Sequence, residues 1–427
     1  MRRTAILLIL ATLVLPVSCS SRVVLGDERF DVYLPLLEGK RVAIYSNPSG
    51  IVGDKVEGWC LKGGEEVTEA TAGIPFGQPS DPSRPVVYGP HLLDVMLEKG
   101  VNVCAIFSPE HGFRDLADDG SHVADGVEPL TGVPILSLYG GAGGHHPTAE
   151  AMDMFDVLIV DIQDVGLRFY TYYITMCHLM DACGEAGKKV VLLDRPNPNG
   201  MYVDGPILDM SLKSGVGHLP IPTVHGLTLG ELAKMAQGEQ WLGAGNTCDL
   251  TVIPCKNYTH QTLYELPVCP SPNLPNMQSI YLYPSLCGFE GTVVSLGRGT
   301  DKPFQQYGHP AFIGKYSYTF TPQSVKGSSN PPLLGQECYG VDLSQMDQQE
   351  IRNKGLDLSY VIDAYTIMKE QGLEAGFFRR FFDLLMGQRY IREMIEEGAT
   401  EPEIRAMWQA DVAAFKQQRK PYLLYAE

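Results

Sequence analysis

The stretch "VNVCAIFSPEHGFR" at residues 101–114 decides how this chain folds. Its first half is a continuous run of apolar and β-branched residues, which is typical of a strand buried on both faces of a parallel sheet. Its second half places a proline, a carboxylate, an imidazole, a glycine and an arginine in one connection. Because a connection needs only turn formers, this loop carries more chemistry than folding requires. The stretch therefore predicts a buried strand that leads into a functional site.

The rest of the first half repeats this pattern of strand followed by helix. Four further apolar runs read as parallel strands, at 41–46, 133–140, 156–162 and 188–194. Four segments between or after them have helical patterns, at 91–100, 148–155, 173–187 and 228–237. Such alternation predicts an α/β fold with a doubly wound parallel sheet.

The second half has a different sequence pattern, and we expect a second, smaller α+β domain there. It contains proline-rich loops, the strand-like pieces "SIYLYP" (279–284) and "YSYTFTP" (316–322), and amphipathic helices from about residue 345 to the end. We place the first domain at 27–240 and the second at 241–427. Residues 55–90 have no clear periodicity and are interpreted as a long insertion.

Composition excludes several classes of function. The chain has 50 acidic and 33 basic residues, a net charge of -17, which argues against a nucleic-acid partner because phosphate contacts need a basic surface. The glycines in "SNPSGIVG" after the first strand do not form a dinucleotide fingerprint, and no phosphate-binding P-loop is present. No zinc-like cysteine spacing occurs, so we expect no cofactor and no metal. Most of the ten cysteines are expected to be buried thiols, with one or two disulfides left open.

The first 21 residues, "MRRTAILLILATLVLPVSCSS", have a basic start and a short apolar run that stops at Cys19. This pattern predicts a secretory signal over residues 1–19, and "LPVSC" resembles a bacterial lipoprotein cleavage site. We expect an exported protein, periplasmic or associated with the outer membrane, that is tethered to a membrane by a lipid on Cys19. An ordinary cleaved signal is the alternative.

Polar side chains follow nearly every predicted strand. Because ligands of open parallel sheets bind beyond the carboxyl ends of the strands, these side chains are expected to line one rim. The candidates in the first half are Glu110, His111, Asp161, Asp164, Arg168, Tyr170, Tyr172, Asp194 and Arg195.

Several of these candidates have a structural alternative. Asp161 and Asp194 are equally consistent with capping loop amides or pairing with arginine. His111 is interpreted as a hydrogen-bonded orienting group rather than a metal ligand. The tyrosines either pack or form sugar platforms.

A second set of polar residues lies in "CGFEGTVVSLGRGTDKPF" at 287–304. Glu290 and Arg298 stand among glycines at 288, 291, 297 and 299, which suggests backbone brought close to a ligand. We expect this loop to face the rim of the first domain across a cleft, where substrate sites commonly form.

Long motifs give the chain a resemblance to the exo-β-N-acetylmuramidase family of peptidoglycan-recycling enzymes. They are "FSPEHGF", "DIQDVGLRFYTY", "DRPNPNG", "HGLTLGELA", "SPNLPN", "FEGTVVSLGRGTDKPF" and the ending "IRAMWQADVAAFKQQRKPYLLY". The resemblance runs from about residue 30 to the C-terminus. It implies a Rossmann-like domain joined to a smaller α+β domain, with the site in the cleft between them. It also implies release of N-acetylmuramic acid from the non-reducing end of peptidoglycan fragments that contain MurNAc-GlcNAc.

The resemblance assigns roles to the candidate residues. Glu110 falls on the family's SPEHG glutamate and is the strongest catalytic candidate, as the general acid, with Asp164 or Asp161 as its partner. The substrate's 2-acetamido group is an alternative internal nucleophile. His111, the tyrosines, Asp194 and Glu290 are expected to contact substrate, and Arg168, Arg195 or Arg298 to hold its lactyl carboxylate bidentately.

Two departures from the family pattern are visible. The insertion around 55–89 is longer than expected, and Ser295-Leu296 replaces the usual serine-glutamate before the GRGT turn. The alternative function is a non-catalytic lipoprotein that binds sugars or muropeptides in the same cleft. A metal-dependent deacetylase or esterase is disfavoured because neither a metal motif nor GxSxG is present.

Overall fold

The computed structural model describes residues 22–53, 90–109, 113, 125–138, 146–325 and 327–427. The strands, in chain order, are β1 Arg41–Tyr45, β2 Asn102–Ser108, β3 Gly126–Val127, β4 Pro134–Ser137, β5 Val157–Val160, β6 Lys189–Leu193, β7 Asp204–Ile207, β8 Pro222–Val224, β9 Asp249–Ile253, β10 Gln306–His309, β11 Tyr318–Phe320 and β12 Cys338–Asp342.

Seven of these strands form the central sheet, in the order β3-β4-β2-β1-β5-β6-β9. All neighbouring pairs are parallel except β3 with β4, which is antiparallel at one edge. The predicted parallel sheet is therefore confirmed, with β1, β2, β4, β5 and β6 at the expected runs. The opposite edge strand, β9, comes from residues past the boundary that we placed at 240.

The helices cover both faces of the sheet and continue into the second half. They are α1 Phe30–Tyr33, α2 Leu92–Glu98, α3 Ala149–Asp153, α4 Tyr172–Glu185, α5 Leu229–Gly238, α6 Met277–Leu286, α7 Gln348–Lys354, α8 Ser359–Glu370, α9 Arg380–Met386, α10 Tyr390–Glu397, α11 Glu401–Ala406 and α12 Gln409–Gln418. Short 3-10 helices lie at Gly26–Glu28, Leu34–Leu37, Met210–Leu212, Ala244–Thr247, Cys287–Gly291, Pro310–Phe312 and Lys420–Tyr422.

Alternation along β1 shows how the sheet is buried. Val42 and Ile44 pack into one apolar cluster with α2, and Ala43 and Tyr45 pack into a second, larger cluster with α4 and α5. Because successive side chains of a strand point to opposite faces, a strand buried on both faces must be apolar throughout. This requirement explains the continuous apolar runs in the sequence.

The smaller part of the molecule contains a three-stranded antiparallel sheet, in the order β10-β12-β11, together with α6 to α12. The predicted strand at 316–322 is confirmed by β11, but the prediction of a strand at 279–284 is wrong, because this segment lies inside α6. Asn276 caps the helix by accepting from the Ser279 amide at 2.9 Å, and every residue of α6 is buried. A short helix that is buried on all sides has the same apolar sequence as a buried strand, so periodicity alone does not separate the two.

The described part of the chain contains no helix with the length and apolar character needed to cross a membrane. Its cysteines are all free thiols: Cys104, Cys177, Cys183, Cys248, Cys255, Cys269, Cys287 and Cys338. The prediction of buried thiols is confirmed for all of these residues except Cys104, which is half-buried, and none of the eight forms one of the disulfides that were left open. Cys19 lies outside the described residues.

Candidate active site

Loops that follow the parallel strands meet at one edge of the sheet. The Gln163 amide N–H donates to Ser49 Oγ at 3.0 Å, and Gln163 Nε2 donates to the Pro196 carbonyl at 2.8 Å. These bonds join the loops after β1, β5 and β6. Glu110 and His111 belong to the loop after β2 and lie outside the described residues.

Asp161 and Arg195 form a buried ion pair beneath this edge. Arg195 Nε donates to Asp161 Oδ1 at 2.7 Å, and its Nη2 donates to Asp161 Oδ2 at 2.9 Å and to Asp27 Oδ2 at 2.7 Å. Burial raises the pKa of Asp161 and Asp27, and the guanidinium between them opposes that rise. Both oxygens of Asp161 are thus occupied, which corresponds to the structural alternative for this residue and leaves neither Asp161 nor Arg195 open to a ligand.

Asp164 has a different environment. Its side chain is buried, and Oδ1 accepts from the Gly166 amide at 2.7 Å. Oδ2 is also buried and has no hydrogen-bond partner among the described residues. Burial raises the pKa of Asp164 to about 7, although the amides of Gly166 and Val165 act in the opposite direction. A carboxyl with one unpaired oxygen that titrates near neutral pH is suited to proton transfer or to orienting a substrate group.

Two asparagines that sequence reasoning did not single out hold the Asp164 loop in place. Gly166 has a φ of +78°, and a Cβ there would overlap the Asn197 side-chain amide. Asn199 Nδ2 donates to the Val165 carbonyl at 2.9 Å, while Asn199 Oδ1 is buried without a partner among the described residues. The signal for them was the "NPN" of the DRPNPNG motif, because asparagine side chains commonly bond to nearby loop backbone.

Arg168 is surrounded by backbone carbonyls. Its guanidinium is fully buried and donates to four carbonyls, those of Pro206, Ile221, Leu385 and Met386, at 2.6–3.0 Å. These carbonyls belong to the β7–β8 hairpin and to the end of α9. The guanidinium therefore links the β5–α4 loop to the second half of the chain and is not available to a substrate carboxylate.

Asp194 is also occupied by structural contacts. Its Oδ2 accepts from Thr228 Oγ1 at 2.7 Å and from the Tyr425 hydroxyl at 2.6 Å, and its Oδ1 accepts from the Gly230 amide at 2.9 Å. Burial raises the pKa of Asp194 to about 6, against the effect of these donors. The carboxyl sits at the N-terminus of α5, where it accepts hydrogen bonds as the structural alternative for Asp194 describes.

A group of aromatic rings connects the rim to the second domain. The hydroxyls of Tyr170 and Tyr172 both donate to the Pro270 carbonyl, at 2.7 and 3.1 Å, and both rings are buried. The ring centre of Tyr170 lies 6.2 Å from that of Tyr283, and the ring centre of Tyr283 lies 4.7 Å from that of Phe304. The tyrosines therefore pack in the seam between the two halves, beside the loop that carries Phe304.

Glu290 and Arg298 come together in that loop as a partly exposed pair. Arg298 Nε donates to Glu290 Oε1 at 2.8 Å, and the guanidinium lies 5.1 Å from the centre of the Phe304 ring. Ser295 and Leu296, where the family pattern has serine-glutamate, are buried. Within the described residues, this loop is connected to the first-domain rim through Tyr283 of α6, which packs against both Phe304 and Tyr170.

Across the described residues, no group of three or more His, Cys, Asp or Glu side chains has a geometry that could hold a metal ion. Among the described residues at this edge, the Asp164 carboxyl and the Asn199 side-chain amide each have a buried oxygen without a partner. This set matches acid–base chemistry on a sugar.

Comparison with known proteins agrees with this geometry. Residues 83–278 match the family model for the N-terminal part of exo-β-N-acetylmuramidase NamZ, and residues 281–425 match the model for its C-terminal part. The peptidoglycan β-N-acetylmuramidase NamZ of Bacillus subtilis is 37% identical over 352 residues, which cover 78% of this chain and 82% of the relative.

Solved structures show the same fold. A crystal structure of a DUF1343 family protein from Bacteroides fragilis has a TM-score of 0.79 and 54% identity, and the match covers 95% of this chain and 100% of that one. A second DUF1343 protein from the same organism has a TM-score of 0.72 and 26% identity, and the match covers 95% and 99% of the two chains. The chain belongs to the exo-β-N-acetylmuramidase NamZ family.

Proposed function

We propose that this chain is an exo-acting glycoside hydrolase that releases N-acetylmuramic acid from the non-reducing end of peptidoglycan fragments. The observation that carries the proposal is the buried Oδ2 of Asp164 at the carboxyl edge of the sheet, which has no partner in the described part of this NamZ-family chain. A buried carboxyl without a partner is costly to the fold, and such groups cluster at functional sites.

In the proposed mechanism, Glu110 donates a proton to the glycosidic oxygen that leaves. Asp164 is its partner and acts as an ionised carboxylate. It either stabilises or attacks the anomeric carbon, or it orients the 2-acetamido group for attack on that carbon. The choice of Asp164 over Asp161 rests on their contacts, because Asp161 has both oxygens paired with Arg195. Gly166 and Asn199 support the reaction indirectly by fixing the loop of Asp164.

The experiment supplies a disaccharide capped by N-acetylmuramic acid and measures the free sugar that is released. Asp164→Asn and Glu110→Gln are each expected to lower kcat about 10² to 10⁴-fold, the usual effect of losing a general acid–base group. Asp153→Asn, on the exposed side of α3, is the matched control and should retain wild-type turnover.

Release of no N-acetylmuramic acid by the folded wild-type protein, over a range of fragments, would contradict the proposed activity. Full turnover by Asp164→Asn would instead remove Asp164 from the mechanism and leave the activity standing.

We propose further that the chain is exported to the periplasm and anchored to a membrane through a lipid on Cys19. The support is the basic start and the apolar run that ends at the "LPVSC" sequence. Labelling with a fatty-acid analogue should mark the wild-type protein and leave Cys19→Ala unlabelled and released from membranes. A wild-type protein that is unlabelled and washes free would contradict the anchor.

A further inference from the structure

A cavity of about 320 Å³ lies beside the first two turns of α4. Its wall includes the hydroxyl side chains of Thr171 and Thr175 and the basic side chains of His178, Lys213 and His218, and none of the described residues that line it is acidic. A volume of this size is at the lower end of the range for small-molecule sites. The cavity is large enough for part of a ligand, and its walls offer hydrogen-bond donors.

Basic groups are concentrated around this cavity. The His178 ring packs edge to face against His146 at 4.7 Å and against His218 at 4.9 Å. Lys213 forms no ion pair with any residue in the described ranges, and it is close enough to Cys177 to oppose the rise in the pKa of that thiol, which is caused by burial. In a protein with a net charge of -17, a cation without a carboxylate partner beside three imidazoles favours an anionic ligand.

The cavity lies close to Asp164. The Thr175 side chain hydrogen-bonds to the Tyr45 hydroxyl, which also donates to the Tyr172 carbonyl at 3.1 Å. Burial raises the pKa of Tyr45, and the nearby Asp164 carboxyl adds to that rise. Tyr45 therefore lies between Thr175, in the cavity wall, and the Asp164 carboxyl. The cavity and the candidate catalytic carboxyl are thus neighbours in the fold.

We infer that this cavity binds the lactyl carboxylate of the terminal muramic acid, with Lys213 and His178 as the specificity-determining residues; this inference rests on the proposed function. The arginines expected to hold that carboxylate are committed elsewhere: Arg168 to backbone carbonyls, Arg195 to Asp161 and Arg298 to Glu290. A Lys ammonium and an imidazole N–H form charge-assisted hydrogen bonds to a carboxylate that discriminate against an uncharged analogue.

The test compares a chromogenic β-glycoside of N-acetylmuramic acid with the same glycoside whose lactyl carboxylate is converted to an amide. The wild-type enzyme should prefer the acid by about 10-fold or more in kcat/KM, as expected for loss of one charged hydrogen bond. Lys213→Met should lose that preference by slowing the acid about tenfold and the amide little, and His178→Gln should weaken it. Lys416→Met, on the exposed surface of α12, is the control and should keep the full preference.

An unchanged preference in a folded Lys213→Met enzyme would overturn the inference while the proposed activity stands. If the wild-type enzyme hydrolyses neither glycoside, the proposed function fails. Calorimetry with free N-acetylmuramic acid and with N-acetylglucosamine then tests ligand binding in the cavity independently of activity. The site would be supported if the wild-type protein binds N-acetylmuramic acid selectively and Lys213→Met abolishes this binding. Equal binding of the two sugars, or no binding of either, would overturn the inference.

Discussion

Burial of the Asp164 carboxylate destabilises the fold, and the same burial gives the carboxyl the pKa that the proposed reaction needs. Its pKa lies at about 7, against 3.8 for an ordinary aspartate, and burial is the main cause. Between these two values the folded protein keeps a proton that the unfolded chain has released. The contribution of this group to stability therefore falls as the pH rises from about 4 to about 7.

Replacing Asp164 by asparagine should consequently stabilise the protein. Above pH 7 we expect a gain on the order of 1 to 3 kcal/mol in the free energy of unfolding, because the variant has no charge to bury. Below pH 4 the gain should vanish, since the carboxyl is then protonated in both states. Chemical denaturation at pH 4, 6 and 8 measures the difference, and a gain that is the same at all three values would contradict the burial argument.

The same residue should set the pH dependence of activity. If Asp164 acts in its ionised form, kcat/KM for a muramic acid glycoside rises as the pH passes through about 7. The residual activity of Asp164→Asn should lack this rise. A fall in kcat/KM through pH 7 would instead identify Asp164 as the proton donor, against its assignment as the partner of Glu110.

The residue types predicted that polar side chains lie at one edge of the sheet, but they did not predict which of these side chains are paired with other groups. Asp161 and Asp164 stand three positions apart in one motif, yet one is fully paired and the other has an unpaired oxygen. The difference depends on Arg195, which reaches Asp161 from the loop after β6 and also donates to Asp27 near the start of the described chain. Such long-range contacts leave no local pattern, so the sequence kept both aspartates as alternatives.

Among the elements, the loop between β5 and α4 is joined to the β7–β8 hairpin and to the end of α9 by Arg168. Replacing Arg168 by methionine would leave four buried carbonyls without their donor, which should cost about 3 to 5 kcal/mol in the free energy of unfolding. Arg168→Lys should recover only part of the loss, because an ammonium does not span the carbonyls that a planar guanidinium reaches. Arg389→Met, at an exposed arginine, is the control and should change stability by less than about 0.5 kcal/mol.

An Arg168→Met protein that unfolds at the wild-type denaturant concentration would show that the carbonyls find other partners. Activity gives a second readout, because a substrate-binding arginine and a structural one differ in their effect. We expect kcat to fall with stability as the Asp164 loop loosens, rather than an isolated rise in KM.

Helix α6 shows that tertiary contacts can override the secondary structure that a local sequence pattern predicts. The segment "SIYLYP" has the aromatic and β-branched residues of a strand, and Pro284 would disfavour a helix interior. The helix forms because Asn276 caps its start and because all of its faces are buried. Asn199 Nδ2 also donates to the Ile280 carbonyl at 3.5 Å, the group that Pro284 leaves without an amide partner. Tertiary contacts therefore outweigh the local preference.

At the scale of the molecule, the C-terminus closes the structure back onto the first domain. Leu424 donates its amide to Glu231 Oε1 at 2.7 Å, and the Tyr425 hydroxyl reaches Asp194. Further up the chain, Trp408 Nε1 donates to Asp204 Oδ1 at 2.9 Å. The larger apolar cluster likewise contains side chains from both halves. The two halves of the chain thus share one core.

A shared core predicts that the two halves unfold together. Calorimetry should show a single transition for the wild-type protein, although multi-domain chains of this length commonly show more than one. Tyr425→Phe should lower the temperature of that whole transition, because Asp194 loses a donor at 2.6 Å. Burial raises the pKa of Asp194 to about 6, so the loss should be larger at pH 8, where the carboxyl is ionised, than at pH 5, where it is protonated. Two separate transitions, or a shift confined to one of them, would show that the halves fold independently and that the C-terminal contacts only join them.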